Sequence, residues 1–245
     1  MGMSMKTVLL DVKAVLLDMT ETIHTLDKER MLNEFKEKLW ERYFPNVGFN
    51  EFKTAYFQAY SYYQVGLISN DKQFFKMLAK TLGCKFPGTE IKKLIHLHQN
   101  LRVHFIKLMP DVIPTLNYLK KKGYKLAMVS NCVRNWADKD FKRMRFNPNE
   151  FFDVQVSSQN THYLKPNPRA FLAAIKKLRV KPEECVYIGD DIIDINGAKY
   201  TGIKIRILFE KPTQVCHYVE HIAGTKSPTT ADYVIQKLSD IRKIL

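Results

Sequence analysis

The chain has 245 residues, 45% of them hydrophobic, and a formal charge of +14. These values exclude an intrinsically disordered chain and fit one large domain or a core domain with an insert. No apolar run reaches the length of a membrane span: VLLDVKAVLLD is broken by Asp11 and Lys13. MGMSMKTVLLDVK lacks the long apolar core and small-residue cleavage site of a secretory signal, so a cytoplasmic protein with no membrane partner is expected. Cys84, Cys132, Cys185 and Cys216 are far apart and form no CxxC pair. That spacing argues against a zinc site or a disulfide framework and fits reduced thiols. The lysine surplus attracts anions, or else only keeps the surface solvated. It is spread along the chain, with short clusters at Lys120–Lys122 and Lys139–Arg145, and no zinc finger or aromatic-interleaved RNA motif accompanies it. Small anions, among them phosphorylated metabolites, are therefore expected as partners ahead of nucleic acid. The sequence sets no oligomeric state.

In chain order, residues 8–18 (VLLDVKAVLLD) read as a strand that ends on an acidic residue. The rhythm then turns helical. LDKERMLNEFKEKLWERYF carries Met31, Leu32, Phe35, Leu39 and Tyr43 at helical spacing, and NEFKTAYFQAYSYYQ, KQFFKMLAKTLG and EIKKLIHLHQNLRVHFIKL continue it. Asn50, Asn70 and Thr89 are the expected helix starts, and Gly83 a stop. Beyond this block strands and helices alternate. VIPTLNYLKKKGY reads as helix, KLAMVSN as strand, WADKDFKRM as helix and FDVQVSS as strand. RAFLAAIKKL, CVYIGD, INGAKYTG and KIRILF continue as helix, strand, helix and strand, and VIQKLSDIRKIL is expected to close the chain as a helix. Alternating apolar strands and helices predict a doubly wound parallel α/β sheet of Rossmann-like type. An all-helical domain is inserted after its first strand. The expected division is a core of residues 1–24 and 107–245 and a cap of residues 25–106.

In open sheets of this kind ligands bind beyond the carboxyl ends of the strands. Strand one ends at Asp18, a later strand at Ser130 and another at Gly189-Asp190-Asp191. Asp18, Asp190 and Asp194, with Asp191 beside them, could gather round one hard cation, and oxygen ligands suit Mg²⁺. A phosphate would also need hydrogen-bond donors, which Ser130 and the following backbone N–H offer, and a fixed positive charge, which Lys165 of LKPNP offers. Taken singly, each acidic residue reads equally well as a helix cap or turn residue. The combination is what points to chemistry.

Four segments in order carry a resemblance to the haloacid dehalogenase-like superfamily. AVLLDMTETI resembles its first motif, KLAMVSN its second, VSSQNTHYLKPNP its third and VYIGDDIIDINGAKYTG its fourth. The helical block resembles the cap inserted after the first motif in one subgroup. The resemblance implies a magnesium-dependent phosphohydrolase acting on a small phosphomonoester. Asp18 would be the nucleophile that forms an aspartyl-phosphate, and also a metal ligand. Ser130 and Asn131 would bind the phosphoryl group, and Lys165 would pair with it and with Asp18. Asp190, Asp191 and Asp194 would hold the ion, with the backbone carbonyl of Thr20.

The chain departs from that pattern at two positions. Thr20 stands where the phosphatases carry the acid–base Asp, and Glu21 where they carry Gly. Threonine does not titrate near neutrality, and a missing general acid–base group costs about 10²–10⁴ in rate. Slow turnover is expected, or alternatively a catalytically impaired binding or regulatory protein of the same fold. Glu21 is expected to point away from the site. Lesser candidates are His24 near the cap hinge, Arg134 as a substrate anchor, and Tyr60, Tyr62 and Tyr63 as slot or cap-core residues. His96, His98 and His104 share one predicted helix, but His96 and His98 do not share a face, so zinc is not expected.

Overall fold

The computed structural model describes residues 12–210 and 230–245. Residues 8–11 of the first predicted strand, and Cys216, lie outside this range. β1 (Ala14–Leu17) is followed at once by Asp18. β2 (His24–Leu26) leads into α1 (Lys28–Phe35), which runs through a π-helical turn, Lys36–Trp40, into α2 (Glu41–Tyr43). Three longer helices follow: α3 (Phe49–Gln64), α4 (Asp71–Thr81) and α5 (Gly88–His104). β3 (Ile106–Leu108) then returns the chain antiparallel to β2.

The remaining elements alternate. They are α6 (Val112–Lys121), β4 (Lys125–Ser130), α7 (Arg134–Met144), β5 (Val154–Ser157), α8 (Ser158–Thr161) and α9 (Pro168–Leu178). β6 (Cys185–Gly189), α10 (Ile192–Thr201), β7 (Ile205–Phe209) and β8 (Tyr233–Ile235) complete the series. Among the described residues the main sheet has six strands in the order β5-β4-β1-β6-β7-β8, all parallel. The chain leaves β1 in one direction to β4 and β5, then in the other to β6, β7 and β8. The reversal lies at β1, so the crevice for a ligand opens over its carboxyl end.

Both faces of the sheet are covered, which accounts for its near-continuous apolar strands. Val15, Leu17, Met128 and Ile188 face one cluster with Leu116, Leu119, Phe141 and Phe152. Ala14, Leu16, Val129 and Tyr187 face the other with Phe171, Ala174 and Ile175. The helices between β2 and β3 build their own core from Phe35, Leu39, Phe52, Phe74, Phe75 and Leu94. No helix among the described residues is long and apolar enough to cross a membrane.

The inserted helices are bolted to one helix of the sheet domain. Val133 and Trp136 belong to the cap's hydrophobic cluster although they lie just after β4 and on α7. The Trp136 indole donates to Asp71 Oδ1 of α4 at 2.6 Å and stacks on Tyr60 with ring centroids 5.3 Å apart. Arg102 of α5 forks onto Asp140 of α7, Nη1 to Oδ2 at 2.9 Å and Nη2 to Oδ1 at 2.5 Å. Tyr63 is fully buried and donates to Asp71 at 3.1 Å, while Tyr62 is partly exposed. Tyr60 and Tyr63 are thus parts of the cap's packing.

Three expectations about elements are corrected. The closing segment is not one helix: β8 pairs with β7, and a 3-10 helix, Leu238–Lys243, follows. Ile235, Leu238 and Ile241 are buried at intervals of three, which suits a 3-10 turn better than 3.6-residue periodicity. The helix expected through residue 108 stops at His104, because β-branched Ile106 opens β3 against β2. Of the expected starts, Asn70 caps α4 by accepting from the Gln73 N–H at 3.0 Å, but α3 and α5 begin after Gly48 and Pro87.

Candidate active site

Asp18 follows β1 with its backbone N–H bonded to the Ile188 carbonyl at 2.9 Å, which fixes it beside the end of β6. Ser130 ends β4 on one side of it. Asp190 and Asp191 follow β6 on the other, and Asp194 lies in the first turn of α10. Lys165 arrives from the loop between α8 and α9, through a cis Lys165–Pro166 bond. Asp18, Ser130, Lys165 and Asp194 are all buried.

Lys165 is the centre of the cluster. Its Nζ lies 2.6 Å from Asp18 Oδ1, 2.5 Å from Asp194 Oδ1 and 3.2 Å from the Tyr187 hydroxyl. An ammonium has three donors, and these three partners take them all. Tyr187 reaches the same point from within β6, with its hydroxyl 2.9 Å from Asp194 Oδ1 and 3.3 Å from the Val129 carbonyl. Gly189 makes room for Asp194: a Cβ there would fall 2.4 Å from the Asp194 Cγ.

One carboxylate oxygen each from Asp18, Asp190 and Asp194 lie within 4.8 Å of one another. Burial raises the Asp18 pKa to about 6, against the opposing pull of Lys165. Burial, then the charges of Asp18 and Asp194, push Asp190 well above the usual carboxylate range. Burial lowers the Lys165 ammonium, but Asp18 and Asp194 more than offset that and hold it above its ordinary value. The acidic charge exceeds what one lysine balances, and the donors are hard oxygens. That donor set fits a small divalent cation such as Mg²⁺.

Two predicted site residues have their side chains engaged elsewhere. Asp191 caps α10, accepting from the Ile193 N–H at 3.1 Å, and burial raises its pKa. Asn131 turns from the cluster to the backbone of Lys165, accepting from its N–H at 2.8 Å and donating to its carbonyl at 3.3 Å. Thr20 stands two residues beyond Asp18 and bridges to His24 through the backbone. Glu21 is buried with φ 61°, and its carboxylate accepts the Leu26 N–H at 2.9 Å, away from Asp18.

A family model described as haloacid dehalogenase-like hydrolase matches residues 12–202. The chain belongs to that family. A glyceraldehyde 3-phosphate phosphatase of Methanopyrus kandleri is 34% identical over 143 residues, 57% of this chain and 60% of that protein. A pyrophosphatase PpaX of Bacillus mycoides is 31% identical over 165 residues, 66% of this chain and 72% of that protein. A haloacid dehalogenase-family enzyme of Bacteroides thetaiotaomicron, solved with magnesium and inorganic phosphate, superposes with a TM-score of 0.66 at 20% identity. That match covers 84% of this chain and 98% of the other, and it speaks for the fold.

Within this family fold several lesser candidates have other employment. Arg134 is held by Asp138 at 3.0 Å and Gln155 at 3.0 Å, so its guanidinium is tied down beside β5. His98 is buried among Phe35, Phe75 and Trp136, with Nε2 2.7 Å from the Tyr56 hydroxyl. His24 opens β2, in register with Leu108. Sequence reasoning missed Tyr187 and Thr22. A tyrosine inside an otherwise apolar buried strand was the available signal for the first. Thr22, fully buried, brings its hydroxyl to 3.5 Å from Asp190 Oδ1.

Proposed function

We propose that the chain is a Mg²⁺-dependent phosphohydrolase that acts on a small phosphomonoester through an aspartyl-phosphate on Asp18. The observation that carries the reading is the buried Lys165 ammonium bridging Asp18 and Asp194 at the sheet's switch point. In this reading Asp18, Asp190, Asp194 and the Thr20 carbonyl would hold the ion, with Asp191 fixing the helix start beside it. Bound Mg²⁺ would offset phosphate and carboxylate charge.

Asp18 must be ionised to attack phosphorus, and Lys165 favours that form. Its carboxylate oxygen bonds to phosphorus as the bond to the ester oxygen breaks. The alcohol leaves with a proton from solvent, since Thr20 has none to give readily. Water then attacks the aspartyl-phosphate, releasing inorganic phosphate and restoring Asp18. Lys165 exchanges one carboxylate partner for a phosphoryl oxygen, and Ser130 donates a second hydrogen bond. Residues 25–106 act as the cap that excludes bulk water.

Support for a phosphorylated metabolite comes from the relatives' names, which include a glyceraldehyde 3-phosphate phosphatase and a pyrophosphatase. Thr20 favours a second reading, a binding protein with negligible turnover. A panel of phosphorylated metabolites assayed with Mg²⁺ and with chelator separates the two. Metal-dependent release of phosphate supports hydrolysis. Metal-dependent binding without release supports the second reading.

A further inference from the structure

A continuous hydrogen-bonded path runs from the cap to Asp18. Gln64, the last residue of α3, is only 5% exposed. Its Nε2 donates to the Asn131 carbonyl at 2.6 Å. The Asn131 amide brackets the Lys165 backbone with an accepted and a donated bond, at 2.8 Å and 3.3 Å. Lys165 Nζ then meets Asp18. Asn131 is also the residue after Ser130, so the same carbonyl anchors the loop that presents the hydroxyl.

The turn after Gln64 is seated as closely. His162 Nδ1 donates to the Val65 carbonyl at 3.0 Å. A Cβ on Gly66 would lie 2.8 Å from the Gln159 carbonyl and 2.7 Å from His162 Nδ1, so only glycine lets the cap turn approach this far. Gly66 also has φ 76°, where a side chain would be strained. Cap displacement at this point breaks the Gln64 bond and removes one anchor of the segment whose Asn131 side chain holds the Lys165 backbone.

We infer that Gln64 and Asn131 are positioning residues that transmit the docked state of the cap to Lys165 and Ser130. The inference rests on the phosphoryl-transfer reading of Asp18 and Lys165. Asn131 then serves the lysine's placement rather than the phosphoryl group itself. A 1 Å misplacement of a reacting group can cost on the order of 10²-fold in rate.

The test is steady-state hydrolysis of para-nitrophenyl phosphate with Mg²⁺ by the full chain. Gln64→Leu and the unbranched Gln64→Met both remove the donor, and the second serves if the first does not fold. Each is expected to lower kcat by about 10–100-fold with KM nearly unchanged. Asn131→Ala keeps the main-chain carbonyl that Gln64 holds but frees the Lys165 backbone, so it is expected to show a similar loss, and Gln64→Leu added to it clearly less than the product of the two losses, because the arm to Lys165 is already cut. Asn135→Ala removes two other cap–core bonds, the one it donates to Asp71 at 3.4 Å and the one it accepts from Tyr63 at 3.2 Å, and is expected to keep wild-type kcat because neither leads to Lys165. An active wild type with an unchanged kcat in the Gln64 variants overturns the relay alone, as do losses that multiply in the double variant. A wild type that neither hydrolyses the ester nor binds inorganic phosphate with Mg²⁺ overturns the parent reading and the relay with it.

Discussion

Lys165 and Asp18, 147 positions apart in sequence, form a buried ion pair of 2.6 Å at the mouth of the parallel sheet. Removing the ammonium leaves Asp18 and Asp194 facing each other in a site nearly closed to water. Lys165→Ala is therefore expected to lose about 10²–10³-fold in kcat, as for other preorganised donors to developing charge. Lys122→Ala, an exposed helix-end change, is the reference and should leave kcat near wild type. Equal rates for the two would make Lys165 a loop residue.

Thr20 sets a second expectation. Thr20→Asp supplies a carboxylate two residues after Asp18, where the resembling phosphatases carry their acid–base group. An alkyl phosphate needs its leaving oxygen protonated and should gain more than an aryl phosphate, within the ~10²–10⁴ range of general acid catalysis. Turnover of both substrates measured side by side gives the comparison. Unchanged rates in a folded, Mg²⁺-binding variant would show that Thr20 is not the limiting feature.

The Arg102–Asp140 fork is one of the bonds that tie the inserted helices to α7. Burial pushes the Asp140 carboxyl up to about 6 even with Arg102 opposing. Arg102→Met leaves that carboxyl buried without its cation and should cost about 3–5 kcal/mol in urea unfolding. Arg102→Met with Asp140→Leu removes both partners and should cost clearly less. A double variant no more stable than the single would contradict this.

His98 contributes to the pH dependence of stability. Burial, then Arg102 and Lys139, hold its pKa well below the ordinary 6.5. In the unfolded chain it titrates normally, so below that value the unfolded state binds more protons than the folded one. The stabilisation is complete above pH 6.5 and is lost as pH falls through and below it, by up to about 1.4 kcal/mol per pH unit. Asp18, Asp140 and Asp190, raised by burial, titrate with the opposite sign, so the His98 contribution is read as a difference: the urea midpoint of wild type relative to His98→Gln should fall as pH drops from about 7.5 to about 5.5.

Much of this was legible in the sequence, for identifiable reasons. Strand ends in a parallel sheet are set by local pattern, so Asp18, Ser130 and Asp190 could be placed without a structure. Helical periodicity likewise marked the cap. What escaped notice depends on contacts across the chain. Nothing in FQAYSYYQ says that Gln64 will find the Asn131 carbonyl, and nothing near Trp136 says that a core helix will supply a cap residue. Short elements were also missed: β2, β3 and β8 have three residues each, too few for periodicity to register. Glu21 shows the reverse case. Its side chain was expected to point away from the site, and Glu21 adopts φ 61° with its carboxylate folded onto the Leu26 N–H.

The central claim is a covalent phosphoryl-enzyme on Asp18, and rapid quench of the protein during turnover with Mg²⁺ tests it most directly. With an aryl phosphate, whose departure needs little protonation, slow base-assisted hydrolysis should let the intermediate accumulate. Mass spectrometry of the acid-quenched digest is predicted to find one phosphoryl group on the peptide holding Asp18. That adduct should be absent in chelator and in Asp18→Asn. Turnover without such an adduct, or turnover retained by Asp18→Asn, would contradict the account.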